Sequence, residues 1–405
     1  MKKENQIAAV KNTLAIRKVE NLLSITEKLL KKEFSHCIYI NHEKAQIARL
    51  INNNVHILRS DFLQEYVPLA IGFTKKGICY VGGRALNMWK SESIRSNNTT
   101  TNSCVEFLRT LGTGHDYNFP NKHKTYSSTE LLTDFLKYIC SLETEIKITD
   151  SLVIIPDSFS SRQISELKKA ANLAALSNVS LIHESIAIQN YYENNLSDTN
   201  DFNLTLSINK TSSTISLIKE KTIIESETDD YWGGDNIDYR ITDKLLIPYL
   251  RDKFKINTLV EDERKLRNLR NSLRWYAESI KIELSNKRKF ELLTDLGDLA
   301  NDDNGVEMEI DLEITEDDLR GVLKDDFQNL INRINEVMDR NKLSLEDISE
   351  IFLSGANTRI TQLKNMLAEN FIEPKINQEN HNAVIIGGTL LLNKINTAGN
   401  NVYSA

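Results

Sequence analysis

The clearest candidate for ligand chemistry in this sequence is a turn of small and polar residues. It comprises Gly355, Ala356, Asn357, Thr358 and Arg359. An apolar run before it is typical of a buried strand, and apolar residues at helical spacing follow it, with Thr358 suited to cap that helix. A strand, a tight turn and a helix in this order let a flat ligand approach the backbone, and the helix N-terminus favours an anion. The alternative is a turn that binds nothing, because short glycine-containing loops between strands and helices are common.

Polar side chains on one face of a predicted helix form a second candidate. Glu278, Lys281 and Ser285 recur at helical spacing within an amphipathic pattern from 266 to 284. Such a face is suited to contact a ligand, but an ordinary solvated Glu–Lys pair gives the same pattern. Glu184 is a further candidate, since it follows a predicted strand and a carboxylate there serves either as a catalytic group or as a helix cap.

The elements that must position these residues show a repeat. Two pairs of short apolar strands, each joined by a polar turn, are predicted in different halves of the chain. They are 37–40 with 46–50, and 203–208 with 214–218. A strand–turn–strand pattern that occurs twice indicates two related lobes.

Helix signals complete the outline. Ser160 with Gln163, and Thr315 with Asp318, are capping boxes that predict helix starts. Residues 1–34 carry an apolar stripe among charged residues and are predicted to form an additional helix. That helix either packs on the body of the protein or binds a partner protein.

Composition excludes several classes of protein. The chain has 405 residues, 40% of them hydrophobic, with a net charge of −7, which suffices for one large two-lobed unit and argues against nucleic-acid binding. No run of about 18 apolar residues predicts a membrane span. The four cysteines form no CxxC pair and no signal peptide is evident, so we expect reduced thiols, no metal site and a cytoplasmic protein.

In the order and type of these motifs, the sequence resembles the DnaK-type heat-shock chaperones, members of the actin-like ATPase superfamily. The family's adenosine-binding turn usually reads Gly-Gly-Ser-Thr-Arg and is matched at 355–359. Gly233 and Gly234 begin a stretch similar to the family's Gly-Gly-Glu-Asp-Phe-Asp, and the polar face of helix 266–284 matches its adenosine-contacting Glu, Lys and Ser. The resemblance implies a two-lobed actin-like ATPase (ribonuclease-H-like) α/β fold, with mixed sheets flanked by helices. It also implies that Glu184 lies beside a metal-bound water.

The two turns that hold phosphate in that family are altered here. The first reads Asn-His-Glu-Lys-Ala at 41–45, without the family's glycines or its aspartate. In the second, Ser207 replaces the aspartate and residues 209–211 replace three glycines, whereas Ser212 keeps a hydroxyl group. Side chains in a loop built for bare backbone obstruct a triphosphate, and the lost carboxylates weaken any Mg²⁺ site. Leu108 stands where the resemblance implies the catalytic lysine.

The resemblance and its departures lead to one domain plan and one functional hypothesis. The plan is an extension at 1–34, lobe I at 35–200, lobe II at 201–395 and a flexible tail at 396–405. The family's substrate-binding domain and lid have no counterpart in these residues. We expect a degenerate nucleotide-binding domain that acts as a regulator or scaffold, with weak or no ATP hydrolysis and no metal ligand of its own. ATP, ADP or adenosine is the expected cofactor, and a protein partner is expected, for which residues 1–34 are a candidate contact.

Other hypotheses remain open from the sequence. In one, the chain is a working chaperone-type ATPase in which Glu43, Lys210 and Arg109 replace the lost groups, and a separate chain binds the substrate. In another, it is a subunit of an actin-like polymer, although no extended apolar insertion marks a longitudinal contact.

Overall fold

The computed structural model describes residues 34–95, 101–192, 202–295, 301–378 and 381–402 of the chain. The predicted N-terminal helix at 1–34 therefore lies outside the described residues, apart from its last position. At the other end, a helix continues to Val402, whereas the sequence predicts a frayed tail from residue 396. The predicted lobe boundaries stay predictions.

Strands and helices follow one another in two successive series. The strands are β1 His36–Ile40, β2 Lys44–Ile51, β3 Asn54–Ile57, β4 Val67–Pro68, β5 Ala70–Phe73, β6 Cys79–Val81, β7 Ser103–Val105, β8 Asp116–Phe119, β9 Lys124–Ser127, β10 Asp150–Ile155, β11 Asn178–His183, β12 Phe202–Ile208, β13 Ser213–Lys219, β14 Thr222–Asp229, β15 Lys289–Asp295, β16 Glu309–Thr315, β17 Ile348–Ser354 and β18 Lys375–Gln378. The helices are α1 Gly83–Arg95, α2 Ser128–Ser141, α3 Ser161–Leu173, α4 Glu184–Tyr192, α5 Gly234–Ile241, α6 Ile247–Lys253, α7 Asn257–Glu261, α8 Glu263–Leu284, α9 Glu316–Arg340, α10 Thr361–Asn370 and α11 Ala383–Val402.

The two large sheets share one topology, as the repeated sequence pattern predicts. Their strand orders are β3-β2-β1-β10-β11 in lobe I and β14-β13-β12-β17-β18 in lobe II, with β4 also paired to β2. In each sheet an antiparallel meander comes first, and two later strands add in parallel beside its first strand. Since the carboxyl ends of parallel strands share one edge of a sheet, each sheet presents its turns on one side.

Helices α4 and α11 lie between the two sheets and pack against each other. Each follows the last strand of its series, so the pair repeats the symmetry of the sheets. Apolar residues of α11, including Val384 and Ile385, share a buried cluster with Cys37 of β1 and Ile154 of β10. The last described helix therefore covers the sheet of lobe I.

Several helix starts follow from local sequence signals. The capping boxes at Ser160 and Thr315 are confirmed, because both hydroxyls accept the amide three residues later and both acceptor side chains return the bond. The predicted cap at Thr358 is wrong. The Thr358 hydroxyl donates to the Gly355 carbonyl within a 3₁₀ turn, and α10 begins only at Thr361.

Candidate functional site

The turns that follow β1, β12 and β17 meet the start of α4 in the cleft between the lobes. Parallel pairing of β12 with β17 sets Ser207 directly beside Ser354 at the ends of these strands. Both hydroxyls reach the same carboxylate. Glu184 Oε1 accepts a hydrogen bond from Ser207 Oγ at 3.1 Å and from Ser354 Oγ at 2.9 Å. The first residue of α4 is thereby held by two strands of lobe II.

The environment of Glu184 favours its protonated form. The side chain is only 4% exposed. Burial raises its pKa to about 6, the charge of Asp157 adds to this effect, and the two serine hydroxyls oppose it. A carboxyl group in this state titrates near neutral pH, but its oxygen is already used to join the lobes.

The space beside Glu184 is nearly full. The cavity there measures about 10 Å³, about what a single water molecule requires. His42 lines it and is buried, and burial together with the charge of Arg109 lowers the pKa of His42 to about 4. Buried and unpartnered polar atoms on His42 and Thr205 suit one water. Within the described residues, no group of three His, Cys, Asp or Glu side chains is arranged to hold a metal ion.

The glycines at 233 and 234 pack against the turn at 209–212. A Cβ on Gly233 would lie 2.5 Å from the Ser212 amide nitrogen, which explains the need for glycine. The amide of Gly234 donates to the Asn209 carbonyl at 2.9 Å, and the next amide also donates to this turn. The first amides of α5, which would serve an anion, are therefore already bonded within the protein.

The turn after β17 closes on the same backbone. Gly355 has a φ of +88°, in the region that favours glycine, and a Cβ there would lie 2.5 Å from the Ile208 carbonyl oxygen. Asn357 is buried, and its Nδ2 donates to that carbonyl at 3.3 Å. Ala356 and Arg359 remain exposed. A side-chain amide thus occupies space that a turn of small residues would leave open.

Lys210 joins the two lobes. Its backbone amide donates to the Glu43 carboxylate, and its ammonium group lies 3.0 Å from Glu106 and 3.7 Å from Asp235. Burial alone would lower the pKa of Lys210, but Glu106 and Asp235 outweigh burial and raise it. Glu43 and Glu106 belong to lobe I, so the cation at the altered phosphate turn is neutralised across the cleft.

Arg109 makes a second connection between the lobes. Its guanidinium donates to the Asp230 carbonyl at 3.0 Å and to the Thr211 hydroxyl, and lies 3.3 Å from Glu106. Leu108 is fully buried in the core of lobe I and does not face the cleft. The side chain that reaches the phosphate turn is thus Arg109, and the protein's own groups engage it.

Lys281 forms a buried ion pair with α5. Its Nζ lies 2.6 Å from Asp238 Oδ1, and both side chains are less than 10% exposed. Burial raises the pKa of Asp238 to about 6, against the pull of Lys281 toward the charged form. Ser285 Oγ donates to the Lys281 carbonyl at 2.7 Å. Glu278 is half-buried and has no ion pair in the described part of the chain.

The predicted site residues fall into two groups that α5 links. The group around the turns contains Glu184, Ser212, Gly233, Gly234, Gly355 and Asn357, and the group on or just after α8 contains Glu278, Lys281 and Ser285. The first residues of α5 touch Asn357, and one turn later Asp238 binds Lys281. No direct bond between the two groups is present among the described residues.

Sequence reasoning missed the carboxylates that fill the cleft. Asp235 and Asp238 are three residues apart on one face of α5, a signal visible in the sequence. Glu106 and Asp157 lie in loops, where no periodic pattern marks them. Their roles depend on the packing of distant segments.

The relatives of this chain identify its family. A family model described as Hsp70 protein matches residues 44–402. The chain belongs to the Hsp70 family. Chaperone protein DnaK of Thermotoga petrophila is 26% identical over 374 residues, which cover 89% of this chain and 59% of that protein. Chaperone protein DnaK of Metamycoplasma hominis is 22% identical over 368 residues, with the same coverage. This Hsp70 chain therefore spans less than two thirds of the length of these relatives.

The family assignment confirms the predicted resemblance and the actin-like α/β fold. It also implies ATP or ADP as a cofactor, which the residues of the cleft would have to accommodate. Around Glu184 a cavity of about 10 Å³ has no room for a hydrated Mg²⁺ and a phosphate. The backbone amides of a phosphate cradle are bonded to carbonyls or packed on glycine. The phosphate side of this Hsp70 cleft does not fit the triphosphate.

Glu43 makes the stability of the closed cleft depend on pH. Burial raises its pKa to about 7, well above its ordinary value of 4.5. The folded form therefore binds this proton more tightly, and the stability it contributes is lost as the pH rises through about 7. As the pH falls from about 8 to about 5, protonation of Glu43 should raise the free energy of unfolding of the wild type by about 2 kcal/mol. Glu43→Gln should lack this increase when urea denaturation is measured at both pH values. The exposed Glu369→Gln should keep the wild-type slope; an unchanged slope in Glu43→Gln would contradict this role.

Proposed function

We propose that this Hsp70-family chain is a chaperone-like nucleotide-binding fold that does not hydrolyse ATP and that regulates or scaffolds other proteins. One observation carries the proposal: the protein's own side chains fill the phosphate side of the cleft. The Lys210 ammonium group is paired with Glu106 of the opposite lobe, and the Lys210 backbone amide donates to Glu43 of that lobe. The positive charge of Lys210 is therefore already neutralised across the cleft and is not available to bind a phosphate.

The size of the catalytic loss supports the proposal. Phosphoryl transfer depends on positioning and electrostatic stabilisation, for which the carboxylates, the lysine and the bare amides of the family are replaced here. Each lost electrostatic group costs on the order of 10²–10³ in rate. Several such losses leave little turnover, even though they do not add simply.

The working-ATPase alternative would require the substituted residues to be free. Arg109 donates to the Thr211 hydroxyl and to the Asp230 carbonyl, and Glu43 accepts from the Lys210 amide. Each would have to exchange an internal partner for the nucleotide. This requirement favours the non-hydrolysing function.

A thermal-shift titration tests the proposal. We expect Mg²⁺ to add less than about 1 °C to the melting temperature measured with ATP alone, whereas Mg²⁺-dependent saturation at 100 times Kd would add about 2.7 kcal/mol and several degrees. Phosphate release should stay at the level of a protein-free control. Stabilisation that requires Mg²⁺, together with released phosphate, would refute the proposal. Adenosine alone is the matched arm, because it probes the half-buried face at Glu278 without the phosphate turns.

The scaffold part of the proposal concerns residues 1–34. Their apolar stripe is suited to a helical partner groove. An affinity pull-down should recover one partner with the whole chain and lose it with a chain that begins at Ser35. Equal recovery of the partner by both chains would show that the partner binds residues after 34 instead.

A further inference from the structure

A second cavity lies between the lobes, outside the filled phosphate side. It measures about 800 Å³, within the range of small-molecule sites. Its walls come from α1 and the loop at 105–110 in lobe I and from α5, α7 and α8 in lobe II. Of the residues that the sequence analysis considered for ligand contact, Arg109 and Lys210 of the working-ATPase hypothesis line it, and the predicted adenosine-contacting residues do not.

We call this second cavity the upper cavity. Aromatic side chains and cations dominate its lining. Trp89, Tyr117, Tyr239 and Trp275 line it, and they are all half-buried. The lining contains five cationic residues and two carboxylates, a net charge of +3 in a chain whose net charge is −7. Flat rings beside excess positive charge are what an aromatic anion requires.

The two carboxylates in the lining are already neutralised. Glu106 pairs with Lys210 and Arg109, and Asp235 pairs with Arg274 at 3.0 Å. Because Lys210 and Arg109 share one carboxylate, these pairs keep a net charge of +1, and the other +2 comes from the remaining lysines, one on each wall of the cavity.

These lysines are Lys90 on α1 and Lys265 on α8. Neither forms an ion pair within the described ranges of the chain. Lys90 Nζ lies 4.4 Å from the centre of the Trp275 ring, so this cation already sits over an aromatic face contributed by the other lobe. The edge of an aromatic ligand ring placed beside Trp275 would therefore lie next to the Lys90 ammonium group.

We propose that the upper cavity binds a flat aromatic ligand that carries an acidic group. The rings of Trp89 and Trp275 stack with it, and Lys90 and Lys265 bind its anion. A purine nucleotide and a simple aromatic acid share this chemistry, and the probes below distinguish them. Binding here does not need Mg²⁺, because the lining itself supplies the positive charge.

Tryptophan fluorescence of the whole chain provides the test. Two of its three tryptophans, Trp89 and Trp275, line the cavity, whereas Trp232 packs on the core of lobe II. We expect naphthalene-2-sulfonate or AMP to quench the emission saturably, and Trp232→Phe to leave the Kd unchanged. Neutral 2-naphthol and methanesulfonate, which lack the charge and the ring, should bind about tenfold more weakly or worse.

Lysine variants decide whether the quenching reports this cavity. We expect Lys90→Gln/Lys265→Gln to weaken binding of the aromatic anion about tenfold, with an unchanged circular-dichroism spectrum. Lys364→Gln, outside the cavity, is the matched control and should have the wild-type Kd. AMP binding that the sulfonate cannot displace assigns the site to nucleotides, and binding of the sulfonate alone assigns it to aromatic acids. Failure of both probes, or equal affinity in the double variant, overturns the proposal.

Discussion

Gly387→Ala is expected to lower the free energy of unfolding by about 3 kcal/mol, which is the upper end of the usual cost of overpacking a core. Gly387 lies in α11 where this helix crosses α4. A Cβ would fall within 3.0 Å of the Ala187 carbonyl oxygen, closer than real Cβ atoms come to such atoms. Asn190 Nδ2 also donates to the Gly387 carbonyl at 2.6 Å, so the helices cannot separate without losing this bond.

The chain offers a matched control for this substitution. Gly321 lies within α9, and a Cβ there would meet no atom within 4 Å. Gly321→Ala should stabilise the protein by about 1 kcal/mol, because glycine is a poor residue inside a helix. Denaturant midpoints of the two variants should therefore move in opposite directions. Similar midpoints for both would show that α4 and α11 are not tightly packed.

Methionine at position 281 is expected to cost about 3–5 kcal/mol, since it leaves a buried carboxylate without its partner. Lys281 is 2.6 Å from Asp238, and burial has already raised the pKa of that aspartate to about 6. Without the ammonium group the pKa should rise further. Thermal denaturation between about pH 5 and pH 8 should show the largest loss at the alkaline end, where Asp238 must be charged.

A second ion pair of equal length isolates the effect of burial. Lys287 lies 2.6 Å from Glu283, but its side chain is 61% exposed. Lys287→Met should cost no more than about 1 kcal/mol. The double variant Lys281→Met/Asp238→Asn should recover most of the loss. If Lys281→Met proved no worse than Lys287→Met, Lys281 would be free to contact a ligand instead.

Local patterns in the sequence predicted the repeated strands and two helix starts, because these depend on neighbouring residues. Short apolar runs joined by polar turns gave the strand pairs that open both sheets, and capping boxes placed α3 and α9. The cap expected at Thr358 failed because the chain after Gly355 first makes a 3₁₀ turn. That turn follows from contact with Ile208, nearly 150 residues earlier.

The candidate site was less predictable, because its contacts join segments that are distant in the sequence. The changes in the phosphate turns could be read directly from residues 41–45 and 207–212. The interactions that replace the lost groups could not be predicted from the sequence, because the partners of Lys210 come from the other lobe. The upper cavity left one sign in the sequence, which is that Trp89 and Trp275 each adjoin a basic residue.

The placement of α11 has a consequence for synthesis on the ribosome. The sheet of lobe I is complete in sequence by His183, yet the apolar face around Cys37 and Ile154 is covered by residues translated some two hundred positions later. During that interval this face stays bare and prone to aggregate. A ribosome-bound chain that stops before Ala383 should be bound by holdase chaperones or degraded, whereas a chain in which Leu392 has left the ribosome should resist protease.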